Sequence, residues 1–241
     1  MDQEVSQQLL QLNNQFYQTF AGQFSATRQR LQPGVRKVIE SLPNPARILD
    51  LGCGNGELAL QLAESGQRGT YVGLDNSPGL LQIAQKVASP PELEIHFYQA
   101  DLSSVGWNTI LAEQTFDVLY AFAVLHHLPG VVLRQEFLTQ VATCLAPGGV
   151  FIHSAWQFLN SPRLRARFQP WQSIGLMESQ LESGDYLLDW RGGGSGLRYV
   201  HHFSSEELHH LAGQTGFQVL SEFTSDGEGG RLGLYQIWKL A

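Results

Sequence analysis

Apolar residues recur every three or four positions through the N-terminal segment, which is the spacing of an amphipathic helix. Leu9, Leu12 and Phe16 lie on one side of this predicted helix. Pro33 interrupts the pattern, and a second short helix is predicted over 34–41. The chain therefore begins with a helical arm.

From residue 46 onward, short apolar runs alternate with amphipathic segments, which predicts a parallel sheet with crossover helices. The predicted strands are 48–51, 70–74, 93–98, 116–121 and 150–154, and the helices cover 57–64, a segment ending at 87, and 131–145.

The pattern changes after Ser154. Residues 156–200 show no clear alternation of strands and helices, and we interpret them as an inserted cap over the carboxyl edge of the sheet. Ser204 and Glu207 have the spacing of a helix-capping box, and two apolar runs joined by a glycine-rich turn predict a terminal hairpin.

The predicted fold is a doubly wound, Rossmann-like α/β sheet of seven strands with a terminal antiparallel hairpin, an N-terminal helical arm and an inserted cap. The expected divisions are a helical arm over 1–45, an α/β core over 46–155, the cap over 156–203, and a helix with a hairpin over 204–241.

Composition narrows the class of protein. Hydrophobic residues make up 43% and charged residues 15%, so a large core is available. Two cysteines make no disulfide framework, and neither a secretory signal nor a membrane span is recognisable, so we expect a cytoplasmic protein with no membrane partner. The net charge of −7 excludes a protein that coats nucleic acid nonspecifically.

The positive charges are nevertheless clustered. No Asp or Glu occurs between Glu4 and Glu40, or between Glu136 and Glu178. A local basic rim at the mouth of the site, able to contact the phosphates of a tRNA, remains compatible with this distribution. Its basic residues are Arg28, Arg30, Arg36 and Lys37 in the arm, and Arg163, Arg165 and Arg167 in the cap.

A glycine-rich loop follows the first buried strand, with glycines at 52, 54 and 56. This G-x-G-x-G spacing differs from the dinucleotide fingerprint and favours a nucleoside without a pyrophosphate, which makes NAD a distant alternative. Asp75 ends the second strand, where it could accept both ribose hydroxyls, and Asp101 follows the third, where it could accept from an adenine amino group. Ligands bind at this edge of open α/β sheets.

These features resemble the class I S-adenosylmethionine (SAM) methyltransferases. ILDLGCGNG at 48–56 resembles their first motif, and FDVLY at 116–120 and LAPGG at 145–149 are similar to later ones. The resemblance implies SAM as cofactor and S-adenosylhomocysteine as product, with Asp50 near the ammonium end. The implied cofactor residues are Asp50, Gly52, Gly54, Gly56, Asp75, Asn76, Asp101, Leu102 and Ala121.

Other segments resemble the tRNA wobble-uridine methyltransferases, which esterify 5-carboxymethyluridine. They are FSATR at 24–28, VLHHL at 124–128, DYLLDWR at 185–191 and RYVHHF at 198–203. Asp189 stands where that family has proline, and Val200 where it has tyrosine. The resemblance implies tRNA as a partner, and it makes a small zinc-binding activator protein conceivable.

The acceptor determines the chemistry. A carboxylate is ionised at neutral pH and needs cations to orient it rather than a base. Arg28 is the first candidate, with Arg191, Arg198 and His201 as further donors, whereas a hydroxyl or amine acceptor would need a base such as His126. We expect no metal, because no Cys or acid cluster completes a tetrahedral set with the histidines.

Three interpretations remain open. The first is methylation of a carboxylate on a tRNA wobble uridine, the second is methylation of a small molecule, and the third is a catalytically silent SAM-binding activator. Trp156, Trp171 and Trp190 could stack on a base or pack in the core. The glycine run 192–196 is interpreted as the hinge of a lid.

Overall fold

Seven strands form one sheet in the order β3-β2-β1-β4-β5-β10-β9. The computed structural model describes residues 1–26, 30–192 and 194–241, with the backbone alone at Phe24. The first five strands run parallel, and β10 lies antiparallel between β5 and β9, which confirms the predicted fold class. The strands are β1 (Ala46–Leu51), β2 (Gly69–Asp75), β3 (Leu93–Gln99), β4 (Phe116–Phe122), β5 (Leu145–Trp156), β9 (Phe217–Ser225) and β10 (Gly233–Leu240).

Helices cover both faces of this sheet, and each face has its own apolar cluster. Phe137 and Leu211 represent the cluster under α5 and α7, and Val38 and Leu62 the cluster under α2 and α3. In the described residues, no helix combines the length and apolar character needed to cross a membrane. The helices are α1 (Gln3–Ala26), α2 (Pro33–Ile39), α3 (Glu57–Glu64), α4 (Pro78–Ala84), α5 (Val131–Cys144), α6 (Pro162–Arg165) and α7 (Ser205–Gln214).

The cap contains a second, three-stranded antiparallel sheet in the order β6-β7-β8. Its strands are β6 (Phe168–Gln169), β7 (Asp185–Trp190) and β8 (Gly196–His201). No alternation was recognisable in the sequence over 156–200, because the strands there are short and, in the described residues, pair only with one another. The glycine run 192–196 follows β7 and ends at Gly196, the first residue of β8, and residue 193 lies outside the described residues.

The helical arm packs on the cap rather than standing apart from it. Val5 and Leu9 of α1 are buried against Trp171 and Leu187. The close approach continues at Gly196, where a Cβ would lie 2.6 Å from the ring of Phe20. A glycine is therefore needed where the hairpin meets α1.

Candidate active site

A cavity of about 580 Å³ opens at the carboxyl edge of the sheet. It lies beside the neighbouring strands β1 and β4, where the order of the strands reverses, because β2 and β3 extend to one side and β5 to the other. Open α/β sheets bind their ligands at such a point. The wall combines the loops after β1, β2, β3 and β4 with parts of α1, β8 and the β9–β10 connection.

The glycine loop after β1 adopts backbone angles that favour glycine. The φ angles are 76° at Gly52, 57° at Gly54 and 79° at Gly56. The N–H of Gly52 donates to the carbonyl of Leu74 at 2.7 Å, which fixes the loop to the end of β2. A Cβ at Gly54 would meet no atom of the described residues within 4 Å, so the backbone there is open to a ligand. Gly52 and Gly54 both line the cavity.

Asp75 places its carboxylate on the cavity wall at the end of β2. Its two oxygens accept hydrogen bonds from the N–H groups of Gly54, at 2.9 Å, and Ser77, at 2.8 Å. Burial raises the pKa of Asp75, although these N–H groups oppose the shift by favouring the charged form. The adjacent Asn76 donates to the side-chain oxygen of Asn14 at 3.0 Å, which links the cofactor loop to α1.

Asp101 and Leu102 line the same cavity from the loop after β3. One carboxylate oxygen of Asp101 accepts from the N–H of Ser103 at 3.0 Å and from its hydroxyl at 2.6 Å. These bonds hold the carboxylate in a fixed orientation. The structure therefore brings Asp50 of β1, Asp75 of β2 and Asp101 after β3 to the wall of one cavity.

Asp50 is a buried carboxylate that also lines the cavity. Burial raises its pKa to about 7, the hydroxyl of Tyr71 opposes this by donating at 2.6 Å, and the negative charge of Asp75 raises the pKa further. A cationic group in the cavity would stabilise the ionised form. The neighbouring Cys53 is also buried, and burial raises the pKa of its thiol well above the ordinary value, so it is a poor nucleophile.

Two of the residues expected to bind the cofactor lie outside the cavity lining. Gly56 precedes α3, and a Cβ there would lie 3.0 Å from the backbone of Ala84. The absence of a side chain at Gly56 lets the start of α3 lie close to α4. Ala121 is completely buried in the apolar cluster under α5 and α7.

One face of α1 forms a wall of the cavity. Asn13 is buried, its side-chain oxygen accepts from the N–H of Tyr199 at 2.8 Å, and its amide donates to the carbonyl of Tyr199 at 3.1 Å. These two bonds give the backbone N–H and carbonyl of Tyr199, at the outer edge of β8, the partners that a neighbouring strand would provide. The sequence interpretation missed this helix face, although polar residues on the apolar side of a helix were a usable signal. The lining residues of α1 are Leu10, Asn13, Asn14, Tyr17 and Gln18.

His126 lies in the 3₁₀ turn Leu125–His127 after β4 and is almost fully buried at the cavity wall. The backbone N–H of Trp156 donates to its Nδ1 at 3.4 Å. Because Nδ1 accepts this bond, the proton of the neutral ring resides on Nε2. In that tautomer Nε2 is a hydrogen-bond donor, whereas a general base would need the proton on Nδ1.

His127 connects the turn after β4 to both α1 and the cap. Its Nε2 lies 2.7 Å from the hydroxyl of Tyr17, and its Nδ1 lies 3.4 Å from the carbonyl oxygen of Tyr199. The amide nitrogen of Asn13 also lies 3.5 Å from Nδ1, so the ring of His127 is held between α1 and β8. Both His127 and Tyr17 line the cavity.

Arg198 reaches the cavity from β8 with only 8% of its surface exposed. Its guanidinium carbon lies 4.7 Å from the ring centroid of Trp156, 5.4 Å from Phe16 and 5.7 Å from Trp190. Aromatic faces attract a cation and hold the planar group in one orientation. Trp156 also lines the cavity, whereas Trp171 is buried in the cap.

Two of the other predicted donors do not belong to this site. Arg191 is exposed, bonds Asp189 at 2.7 Å and lies outside the cavity lining. His201 also lies outside it, since residues three apart on a strand point to opposite faces and Arg198 faces the cavity. Arg28 lies outside the described residues.

His201 instead belongs to a buried cluster of charges behind the cap. Its ring nitrogens lie 2.7 Å from Asp185 and 2.8 Å from Glu207. Glu182, Asp185 and His201 are close enough together to bind a metal ion, but the guanidinium of Arg134 already lies 3.2 Å from Glu182 and 3.8 Å from Asp185. A cation of the chain itself therefore neutralises the acids.

Comparison with known proteins gives the family. A protein-family model described as a methyltransferase domain matches residues 24–222. The chain belongs to that family. A protein of Encephalitozoon cuniculi named as a methyltransferase is 27% identical, over 88% of this chain and 90% of its own length. The structure also superposes on the DhpI–S-adenosylhomocysteine complex with a TM-score of 0.66 and 18% identity, over 98% of both chains.

Two further relatives differ in their named substrates. The tRNA (carboxymethyluridine(34)-5-O)-methyltransferase ALKBH8 of Macaca fascicularis is 27% identical over 64% of this chain and 21% of its own length. The trans-aconitate 2-methyltransferase of Acidovorax ebreus is 34% identical over 51% of this chain and 43% of its own length. This chain therefore spans less than half of either relative.

The protein is a SAM-dependent methyltransferase, and its cavity fits that cofactor. SAM supplies an electrophilic methyl group when bound. The open backbone at Gly54 admits a close ligand, the carboxylate of Asp75 suits ribose hydroxyls, and the buried carboxylate of Asp50 suits an ammonium group. The residues that would hold SAM are Asp50, Gly52, Gly54, Asp75, Asn76, Asp101 and Leu102.

Proposed function

We propose that this protein transfers a methyl group to a carboxylate oxygen. The observation that carries the proposal is Arg198, a nearly buried guanidinium held between aromatic rings at the cavity wall. A guanidinium binds a carboxylate through two parallel hydrogen bonds, and the aromatic frame keeps its plane fixed.

The tautomer of His126 supports the same acceptor. Its Nε2–H can donate to a carboxylate, whereas base catalysis would require an unprotonated Nε2. A carboxylate is already ionised at neutral pH, so the residues around it need only orient an oxygen and exclude water. His126 and Arg198 line one cavity and both contact Trp156.

The names of the two relatives that match only part of this chain support a carboxylate as well, because carboxymethyluridine and trans-aconitate both carry carboxylate groups. We infer that the acceptor is the carboxymethyl group of a tRNA wobble uridine. Two of the four segments similar to the tRNA enzymes, at 124–128 and 198–203, contribute His126, His127 and Arg198 to the cavity wall, which supports this acceptor. A free polycarboxylate is the second candidate, favoured by the wall that α1 adds to the cavity.

The test uses SAM labelled in its methyl group and three acceptors: tRNA bearing carboxymethyluridine, trans-aconitate and the free carboxymethyluridine nucleoside. Each is incubated with the purified chain, alone and with cell extract that would supply an activator protein. We expect label on tRNA that mild alkali releases as methanol, as esters do. Alkali-stable label would contradict carboxylate transfer. Cofactor binding without transfer to any acceptor would favour a silent SAM-binding activator.

A further inference from the structure

A surface groove of about 720 Å³ adjoins the cavity and contains three cations. Arg30, Arg36 and Lys37 line it, with Glu40 as its one acidic residue. Three residues, Arg30, Leu31 and Gln32, line both the groove and the cavity. The groove and the cavity therefore share a wall. We call this surface the basic groove.

Within the described residues, the cations of the basic groove are not paired with acids, unlike Arg47 and Arg134. Arg47 pairs with Asp117 and Arg134 lies within an acidic cluster. In the part of the chain that the structure describes, no carboxylate lies within 4.0 Å of the charged atoms of Arg30, Arg36 or Lys37.

Lys37 is held in place by an aromatic ring. Its ammonium lies 4.1 Å from the ring centroid of Phe223, on β9 at the edge of the large sheet. A cation that rests on an aromatic face keeps its charge and remains available to an anion on its other side. The basic groove thus concentrates positive charge on a protein whose net charge is −7.

We infer that the basic groove binds the phosphodiester backbone of RNA next to the nucleotide whose carboxylate enters the cavity. This inference rests on the proposed RNA-borne acceptor. Cations bind such a polyanion by releasing its condensed counterions, and the shared wall at Arg30 connects the two sites. A free small carboxylate would fill the cavity without reaching the groove.

The cap does not contribute to this surface. Arg163, Arg165 and Arg167 line neither the cavity nor the basic groove. Arg163 and Arg165 are exposed and provide a matched pair of charges for a control.

The experiment measures binding of a fluorescent single-stranded RNA by anisotropy at several salt concentrations. The wild-type chain is compared with Arg36→Gln/Lys37→Gln and with the control Arg163→Gln/Arg165→Gln. We expect the groove variant to bind on the order of tenfold more weakly at about 0.1 M salt, with a salt slope lower by about 1.4, because two phosphate contacts are lost. The control should bind within about twofold of wild type.

The two proposals fail in different ways. Equal RNA affinity of the groove variant and the wild type, or no RNA binding by the wild type at low salt, would overturn the basic groove. Methylation of the free nucleoside should be unchanged in the groove variant, which separates binding from catalysis. Absence of alkali-labile label on every acceptor would overturn the carboxylate proposal, whatever the anisotropy shows.

Discussion

The hydroxyl of Tyr17 lies 2.7 Å from Nε2 of His127, and this bond joins the N-terminal helix to the turn after β4. The adjacent His126 lines the cavity, where we propose that it contacts the acceptor. Asn13 and Asn14 anchor the same helix to β8 and to the cofactor loop. The position of α1 therefore couples the two halves of the site.

Tyr17→Phe removes the hydroxyl but keeps the ring. We expect kcat/KM for the acceptor to fall about fivefold, since a neutral hydrogen bond contributes about 1 kcal/mol. SAM affinity should change little, and Tm should fall by about 2–4 °C. The control is Tyr98→Phe at the edge strand β3, where the ring stacks on His96. Unchanged acceptor kinetics in Tyr17→Phe would show that the Tyr17–His127 bond does not position the turn.

Arg198→Met should lower kcat/KM for a carboxylate acceptor on the order of 100-fold. The reason is that a hydrogen bond to a charged group contributes about 1.5–3 kcal/mol, and the apolar replacement preserves packing against Trp156. Arg198→Lys should recover part of the loss, because it restores the charge without the bidentate geometry.

The matched control is Arg191→Met, an exposed arginine on the same hairpin that pairs with Asp189 outside the cavity. SAM affinity, measured by calorimetry, should be the same in both variants. If Arg191→Met were as impaired as Arg198→Met, recognition of the carboxylate by Arg198 would be refuted.

His126→Gln tests the assignment of a hydrogen-bond donor. A glutamine amide can donate but cannot act as a base, so the variant should retain activity within about tenfold, while His126→Ala loses more. The pH profile of the chemical step should keep the same shape in wild type and His126→Gln. An acid limb present in the wild type and absent from His126→Gln would instead establish His126 as a general base.

The sequence predicted the large sheet and the cofactor half of the site because both follow from local patterns. The ends of parallel strands meet at one edge, so the amino-acid pattern was enough to place the glycine loop, Asp75 and Asp101 together, and the family resemblance added Asp50. The predicted cap of α7 is present as well, with the Ser204 hydroxyl accepting from the N–H of Glu207 at 3.1 Å.

The acceptor half depends on contacts between distant parts of the chain, which local patterns do not reveal. Asn13 pairs with Tyr199 through the outer edge of a cap strand that the sequence did not predict. Without knowledge of β8, its alternation could not be used to separate Arg198, which faces the cavity, from His201, which faces Asp185.

The burial of His153 predicts that the protein loses stability in acid. It is completely buried in β5 beside Trp238, and burial lowers its pKa to about 3. The unfolded chain binds a proton near pH 6.5 and the folded chain does not, so stability falls as the pH drops below 6.5. The effect should be about 3 kcal/mol between pH 7 and pH 4.

Urea unfolding at each pH measures this dependence. In His153→Leu, the free energy of unfolding should fall less between pH 7 and pH 4 than in the wild type. In His210→Leu, at an exposed site on α7, the fall should be the same as in the wild type. The same acid dependence in His153→Leu and in the wild type would assign the loss to other groups.

His201 should make the stability of the fold depend on pH in the opposite direction. Burial disfavours its charged form, but hydrogen bonds to Asp185 and Glu207 outweigh burial and hold the pKa of His201 above its ordinary value. The stability that it contributes is complete below about pH 6.5 and is lost as the pH rises through the folded-state pKa. Urea unfolding from pH 6 to pH 9 should therefore show a decline that His201→Gln removes and His210→Gln retains. Protection factors of the β7 and β8 amides, which remove the intrinsic rise of exchange with pH, should fall over the same range, because this cluster joins the cap to α5 and α7. A decline unaffected by His201→Gln would place the titrating group elsewhere.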